Sequence, residues 1–149
     1  IQDEARRAQG VEVAHAGGDP FATLGLLGHL RSGGVVALQM DRMSAGMRAR
    51  RVTLFGRPSY LPEGPLRLAS VAGAPIVPVF ASRAGHRHYE MRIEAPVHLP
   101  RRPTEAELDA AAQGLADSLA AFVRARPTQW FNFRAPTVPD GRVARGRAP

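Results

Sequence analysis

No cysteine occurs in the 149 residues, which removes disulfide scaffolds, thiolate metal sites and a cysteine nucleophile together. Lysine is missing as well: all 20 lysine-plus-arginine positions are arginine. A Walker-type phosphate loop therefore has no ammonium, and Schiff-base or pyridoxal chemistry has no amine. Long apolar runs are scarce. The most apolar stretch, Val71 to Ala81, carries Pro75 and Pro78 and falls well short of the ~20 residues a membrane-spanning helix needs. Aromatics make up only 6%. The first residue is Ile1 rather than Met and no signal-peptide pattern follows, so a truncated or processed chain is expected. What remains is 44% hydrophobic and 22% charged with a net charge of +7, the profile of one basic globular domain.

Ile1 to Gln9 reads as a short helical end closing at Gly10, and Val11 to Ala14 alternates as a brief strand. Asp19-Pro20 opens a helix, with aspartate as cap and proline in the first turn. Phe21, Leu24, Leu27 and Leu30 recur at helical spacing until Gly33-Gly34 stops them. Val35 to Met40 is a continuous apolar run that suits a strand covered on both faces, and it ends on Asp41-Arg42. Residues 43–63 read as a long irregular segment. A turn at Pro62-Glu63-Gly64-Pro65 leads into a helix from Leu66 to Ala72, closed by Gly73. Residues 76–82 and 88–95 form a hairpin about a turn at Arg83-Ala84-Gly85.

Thr104 and Glu107 have capping-box spacing. Behind them Leu108, Ala111, Ala112, Leu115, Leu119, Phe122 and Val123 make one apolar stripe of a helix ended by Pro127. Residues 135–149 are rich in proline, glycine and arginine, and predict a disordered basic tail after a domain of residues 1–134. The order of elements implies an α/β fold, a layered sheet with flanking helices.

Several constellations invite chemistry. Five histidines match no metal-binding helix pair, so no metal site is expected. His15 and Asp19 offer a base and a carboxylate close together, but Asp19 is already claimed as a helix cap. Six arginines (Arg42, Arg48, Arg50, Arg51, Arg57, Arg67) crowd one stretch beside strand ends. Their forked donors match phosphate and carboxylate, and ligands of open α/β sheets commonly sit at strand carboxyl ends. A solvated loop in an arginine-rich chain explains the same residues equally well. Nucleic acid is the rival partner for a basic chain. Against it, the basic segment has little aromatic interleaving, and Trp130 lies far away in sequence.

Five segments, in order, carry a resemblance: Leu30 to Arg42 (LRSGGVVALQMDR), Val52 to Pro58 (VTLFGRP), Pro62 to Ala69 (PEGPLRLA), Gly73 to Phe80 (GAPIVPVF) and Pro127 to Phe133 (PTQWFNF). Their order and spacing resemble the C-terminal half of the bacterial lipid A biosynthesis lauroyl/myristoyl acyltransferases, within the lysophospholipid acyltransferase superfamily. The resemblance covers roughly residues 11–134 and implies a partial acyltransferase domain. The implied reaction moves a fatty acyl chain from an acyl thioester, on acyl carrier protein or CoA, to a hydroxyl of a membrane glycolipid such as a lipid A precursor. No cofactor is implied. The implied location is the cytoplasmic face of the bacterial inner membrane, peripheral or anchored by an N-terminal part expected upstream of Ile1.

In that family the histidine of a His-x4-Asp/Glu motif is the general base. Here three residues separate His15 from Asp19, and only 26 positions separate His15 from Asp41. No catalytic role is therefore carried to His15, and the base is expected upstream of Ile1. The resemblance does imply substrate-binding roles for Asp41 and Arg42, at the place of an acidic block near the acceptor phosphate. Gly64 is implicated in the helix-opening turn, and Arg57 and Arg67 as further anion contacts. The alternative is a non-catalytic basic α/β module binding anionic lipid or nucleic acid.

Overall fold

The computed structural model describes residues 2–11, 13, 20–43 and 46–132. Asp19, His15, the 14-to-19 segment and the expected tail lie outside the described residues. The chain divides into two compact units, Ile1–Val36 and Ala37–Pro149.

The first unit holds helices α1 (Gln2–Arg7) and α2 (Pro20–Arg31). Gly33, at φ 87°, takes the left-handed conformation just past α2, where a side chain would be strained. Val11 and Val13 lie in no strand, contrary to the alternating pattern.

The second unit is built on a 21-residue helix, α4 (Glu105–Ala125). Two antiparallel hairpins surround it: β1 (Ala49–Leu54) with β2 (Arg57–Pro62), and β3 (Val79–Gly85) with β4 (His88–Ile93). Helix α3 (Gly64–Ala72) connects them, and a single turn of 3-10 helix, Pro127–Gln129, follows α4. The fold is thus mixed α/β, with two small antiparallel ribbons among helices. The sequence signals for α4 hold in detail. Thr104 Oγ1 accepts the Glu107 amide at 3.2 Å, and the Glu107 carboxylate accepts the Thr104 amide at 2.7 Å.

One face of α4 supplies the core. Leu108, Ala112, Leu115 and Ala116 pack with Val52 and Leu61 of the first hairpin and Leu66 of α3. Leu119, Phe122 and Val123 continue the stripe toward Phe80 and Trp130, with Phe80 stacked on Phe122 at 4.8 Å. Leu54 touches both clusters.

Three further expectations fail. Residues 49–62, read as irregular, form the first hairpin. Its two-residue turn puts Phe55 (φ 53°) and Gly56 (φ 75°) both in the left-handed region, the conformation that matches strand twist. The Phe55 ring lies 6.1 Å from that of Trp130 and 5.6 Å from the Arg124 guanidinium, contacts that offset its backbone strain. Val35 to Met40, read as a buried strand, has no ladder partner among the described residues, and Val35 is 87% exposed. Apolar content makes a segment willing to be a strand, but only a neighbouring backbone makes it one. The second hairpin turns at His86-Arg87, not Arg83-Ala84-Gly85. β3 runs on to Gly85 through an irregularity between Arg83 and Gly85.

Two glutamines finish the ribbons. The Gln113 side-chain amide accepts from the Thr53 N–H (2.9 Å) and donates to the Thr53 carbonyl (3.0 Å). Gln129 does the same for Arg83, at 3.1 and 3.4 Å. Each amide stands in for one residue of a missing strand on an otherwise open edge. Gln113→Ala is expected to lower stability by about 1 kcal/mol, two partly solvated hydrogen bonds at the weak end of their range. A urea titration checks this, and an unchanged midpoint would show that water replaces the amide without loss.

Candidate functional site

The six-arginine stretch splits into distinct groups in three dimensions. Arg50 is wholly buried on β1. Its Nε donates to Glu63 at 3.0 Å, its Nη1 to Asp109 at 2.7 Å, and its Nη2 to Glu105. Arg67 joins the same network, donating to Glu63 at 2.8 Å and to Glu105 at 2.7 Å. Glu63, the residue preceding α3, is itself only 2% exposed. Burial alone would pull the Arg50 guanidinium down, but the bonds to Asp109 and Glu105 and the charge of Glu63 hold it above its ordinary value. The hydrogen bond from Arg50 comes first in holding the Glu105 carboxyl below the usual glutamate range, followed by that from Arg67. These groups bolt β1, α3 and α4 together. Neither Arg67 nor Gly64, at the start of α3, lines the recess described next.

Glu107 is also held low, by the Thr104 amide and hydroxyl. A carboxyl whose folded pKa is depressed stabilises the fold above its unfolded pKa, about 4.3 for glutamate, and that contribution disappears as pH falls through the folded value. The urea midpoint is therefore expected to stay level near neutrality and to drop below about pH 4. Glu105→Gln should flatten that drop. An identical acid limb in the variant would exclude Glu105 as its source.

Asp41, Arg42 and Arg57 do come together. They line a recess of about 310 Å³ between the first hairpin, α4 and the segment after it. Val52, Leu54, Leu61, Ala116 and Leu119 supply apolar wall. Arg42 and Arg57 are exposed. Among the described residues neither guanidinium meets a carboxylate, and Arg42 reaches only the Phe131 carbonyl, at 3.5 Å. Asp41 does not orient Arg42 through an ion pair. Its carboxylate instead accepts from Trp130 Nε1 at 3.1 Å, and its carbonyl accepts from Asn132 Nδ2 at 2.8 Å. The closing aromatic segment thus holds a loop some 90 positions earlier in the chain.

Several site residues escaped sequence reasoning. Phe55, Ser59 and Tyr60 line the recess because the hairpin that presents them was read as irregular. Asn132 gave no signal of its own. Trp130 packs against the second core cluster and also holds Asp41. Arg51 is exposed away from the recess lining, and Arg48 lies 3.8 Å from Glu63. No histidine lines the recess among the described residues.

An apolar cleft whose rim carries two guanidinium groups that meet no carboxylate among the described residues defines a small α/β domain suited to an amphipathic anion. The family comparison is in keeping: the model of the bacterial lipid A biosynthesis acyltransferases matches residues 1–135, and the chain belongs to that family. No curated protein matches the chain.

Proposed function

We propose that the protein acts in transfer of a fatty acyl chain from an acyl thioester, on acyl carrier protein or CoA, to a hydroxyl of a membrane glycolipid such as a lipid A precursor. The recess contributes substrate binding. Arg42 and Arg57, which meet no carboxylate among the described residues, stand over an apolar wall, and this is the observation that carries the reading. The forked donors suit a phosphate or carboxylate of the acceptor, while the wall suits hydrocarbon next to it. Proton transfer is not assigned to these residues. No described helix is long and apolar enough to cross a membrane. The reading places the protein at the cytoplasmic face of the inner membrane, with anionic headgroups attracting its arginines.

Acyl transfer by the full-length protein from an acyl thioester to a phosphorylated glycolipid tests this. Arg42→Ala and Arg57→Ala are each expected to raise KM for the acceptor about tenfold, a loss of roughly 1.4 kcal/mol that matches one charge-assisted hydrogen bond. Undiminished activity with both replaced would remove the recess from the reaction.

A further inference from the structure

We propose that the outer face of the β3–β4 hairpin is a docking surface for an anionic lipid bilayer. The register pairs Val79 with Ile93, Ala81 with Met91 and Arg83 with Tyr89, so these side chains share one face of the ribbon. That face is bare: Tyr89, Met91 and Ile93 are 65%, 69% and 67% exposed, and Val79 is 47% exposed. Single exposed apolar side chains are ordinary, but a contiguous two-stranded patch marks a contact surface. The ribbon cannot hide it by turning over. Its other face is committed to α4, through Phe80 on Phe122, and Ser82 on that face is buried.

Charge selects the partner. The hairpin region carries two acids, and both are paired: Glu90 with Arg126 at 3.2 Å and Glu94 with Arg92 at 2.6 Å. At the tip, Arg83 and Arg87 meet no carboxylate among the described residues. Arg83 Nε donates only to the Gly85 carbonyl, at 2.9 Å. His86 and His88 lie between and beside them. An apolar face with an aromatic residue near a cationic rim fits the boundary between acyl chains and anionic headgroups. A protein partner would have to bring the missing acids itself. The inference rests on the membrane-surface part of the reading above and not on acyl transfer.

The chain lacks cysteine, so Met91→Cys gives these 149 residues a single attachment point for a polarity-sensitive fluorophore. With vesicles of phosphatidylcholine plus phosphatidylglycerol, the label should shift to the blue and become shielded from an aqueous quencher. Phosphatidylcholine alone should produce little change. In flotation, Arg83→Gln with Arg87→Gln should weaken binding to the anionic vesicles roughly twenty-five-fold, about fivefold for each arginine. Met91→Ser with Ile93→Ser should lose binding to a similar degree. The arginine pair is solvent-facing, so it keeps the test valid if the apolar pair misfolds, and circular dichroism verifies both.

Failure of the wild type to float, or flotation by both double variants as complete as that of the wild type, would overturn the proposal. So would a label shift without lipid, which would identify a protein–protein face. Acyl transfer to a detergent-dispersed acceptor separates this proposal from the recess. Hairpin variants should keep the wild-type KM for that acceptor, whereas Arg42→Ala and Arg57→Ala should each raise it about tenfold.

Discussion

Arg50→Met is expected to destabilise the fold by about 3–5 kcal/mol, the cost of leaving a buried carboxylate without its partner. The energy resides mainly at Glu63. Glu105 and Asp109 are 56% and 45% exposed, and water can replace Arg50 for them at small cost. Glu63, at 2% exposure, has no such recourse. Arg67 stays within 2.8 Å of Glu63, which places the loss toward the lower end. Against a total of roughly 5–15 kcal/mol for a domain, even that end is large. Urea unfolding measures it. Adding Glu63→Gln to Arg50→Met should recover at least half the loss, because the double variant buries no unpaired charge. If the double variant is no better than the single one, the packing of the arginine stem, not its charge, carries the energy.

Replacing Trp130 by Phe together with Asn132→Ala is expected to reduce acyl transfer about a hundredfold while costing only about 2 kcal/mol of stability. Phenylalanine keeps most of the packing against Leu119, Phe122 and Val123. What disappears is the 3.1 Å bond to the Asp41 carboxylate and the 2.8 Å bond to its carbonyl, each worth about 1 kcal/mol in stability. Activity is more sensitive, because a displacement of about 1 Å in a positioning loop can lower the rate a hundredfold. Trp130 and Asn132 would act here as positioning residues. Steady-state kinetics of the full-length protein, below the variant's unfolding temperature, decide the matter. A fall in kcat with little change in donor KM fits a displaced loop. Activity that falls only in step with the unfolded fraction would reduce both residues to structural support.

Two of the failures of sequence reading, at residues 49–62 and at Val35 to Met40, have opposite origins. β1 reads Ala-Arg-Arg-Val-Thr-Leu, with residue 50 buried and residues 51 and 53 exposed. An apolar residue at position 50 would have strengthened the strand pattern. Arginine there disguises it, because its compensation comes from Glu63, Glu105 and Asp109, which are remote in sequence. With β1 hidden, β2 and the recess wall were hidden too. Val35 to Met40 errs the other way. Its apolar run is real, but pairing is a property of two backbones, and none of the described strands joins it.

Local chemistry by itself determined the helices and their ends. The capping box at Thr104 and Glu107, the stripe from Leu108 to Val123, and the stop at Gly73 depend on neighbours within a few positions, so they are legible in one dimension. The order of five short segments was likewise enough to indicate the family later matched over residues 1–135. Tertiary structure alone decided which arginines are bolts and which are free. Arg50, Arg67, Arg42 and Arg57 look alike along the chain, yet the first two face carboxylates and the last two line an open recess. The role of a charge is set by the counter-charges and the solvent around it, and folding brings both from distant positions.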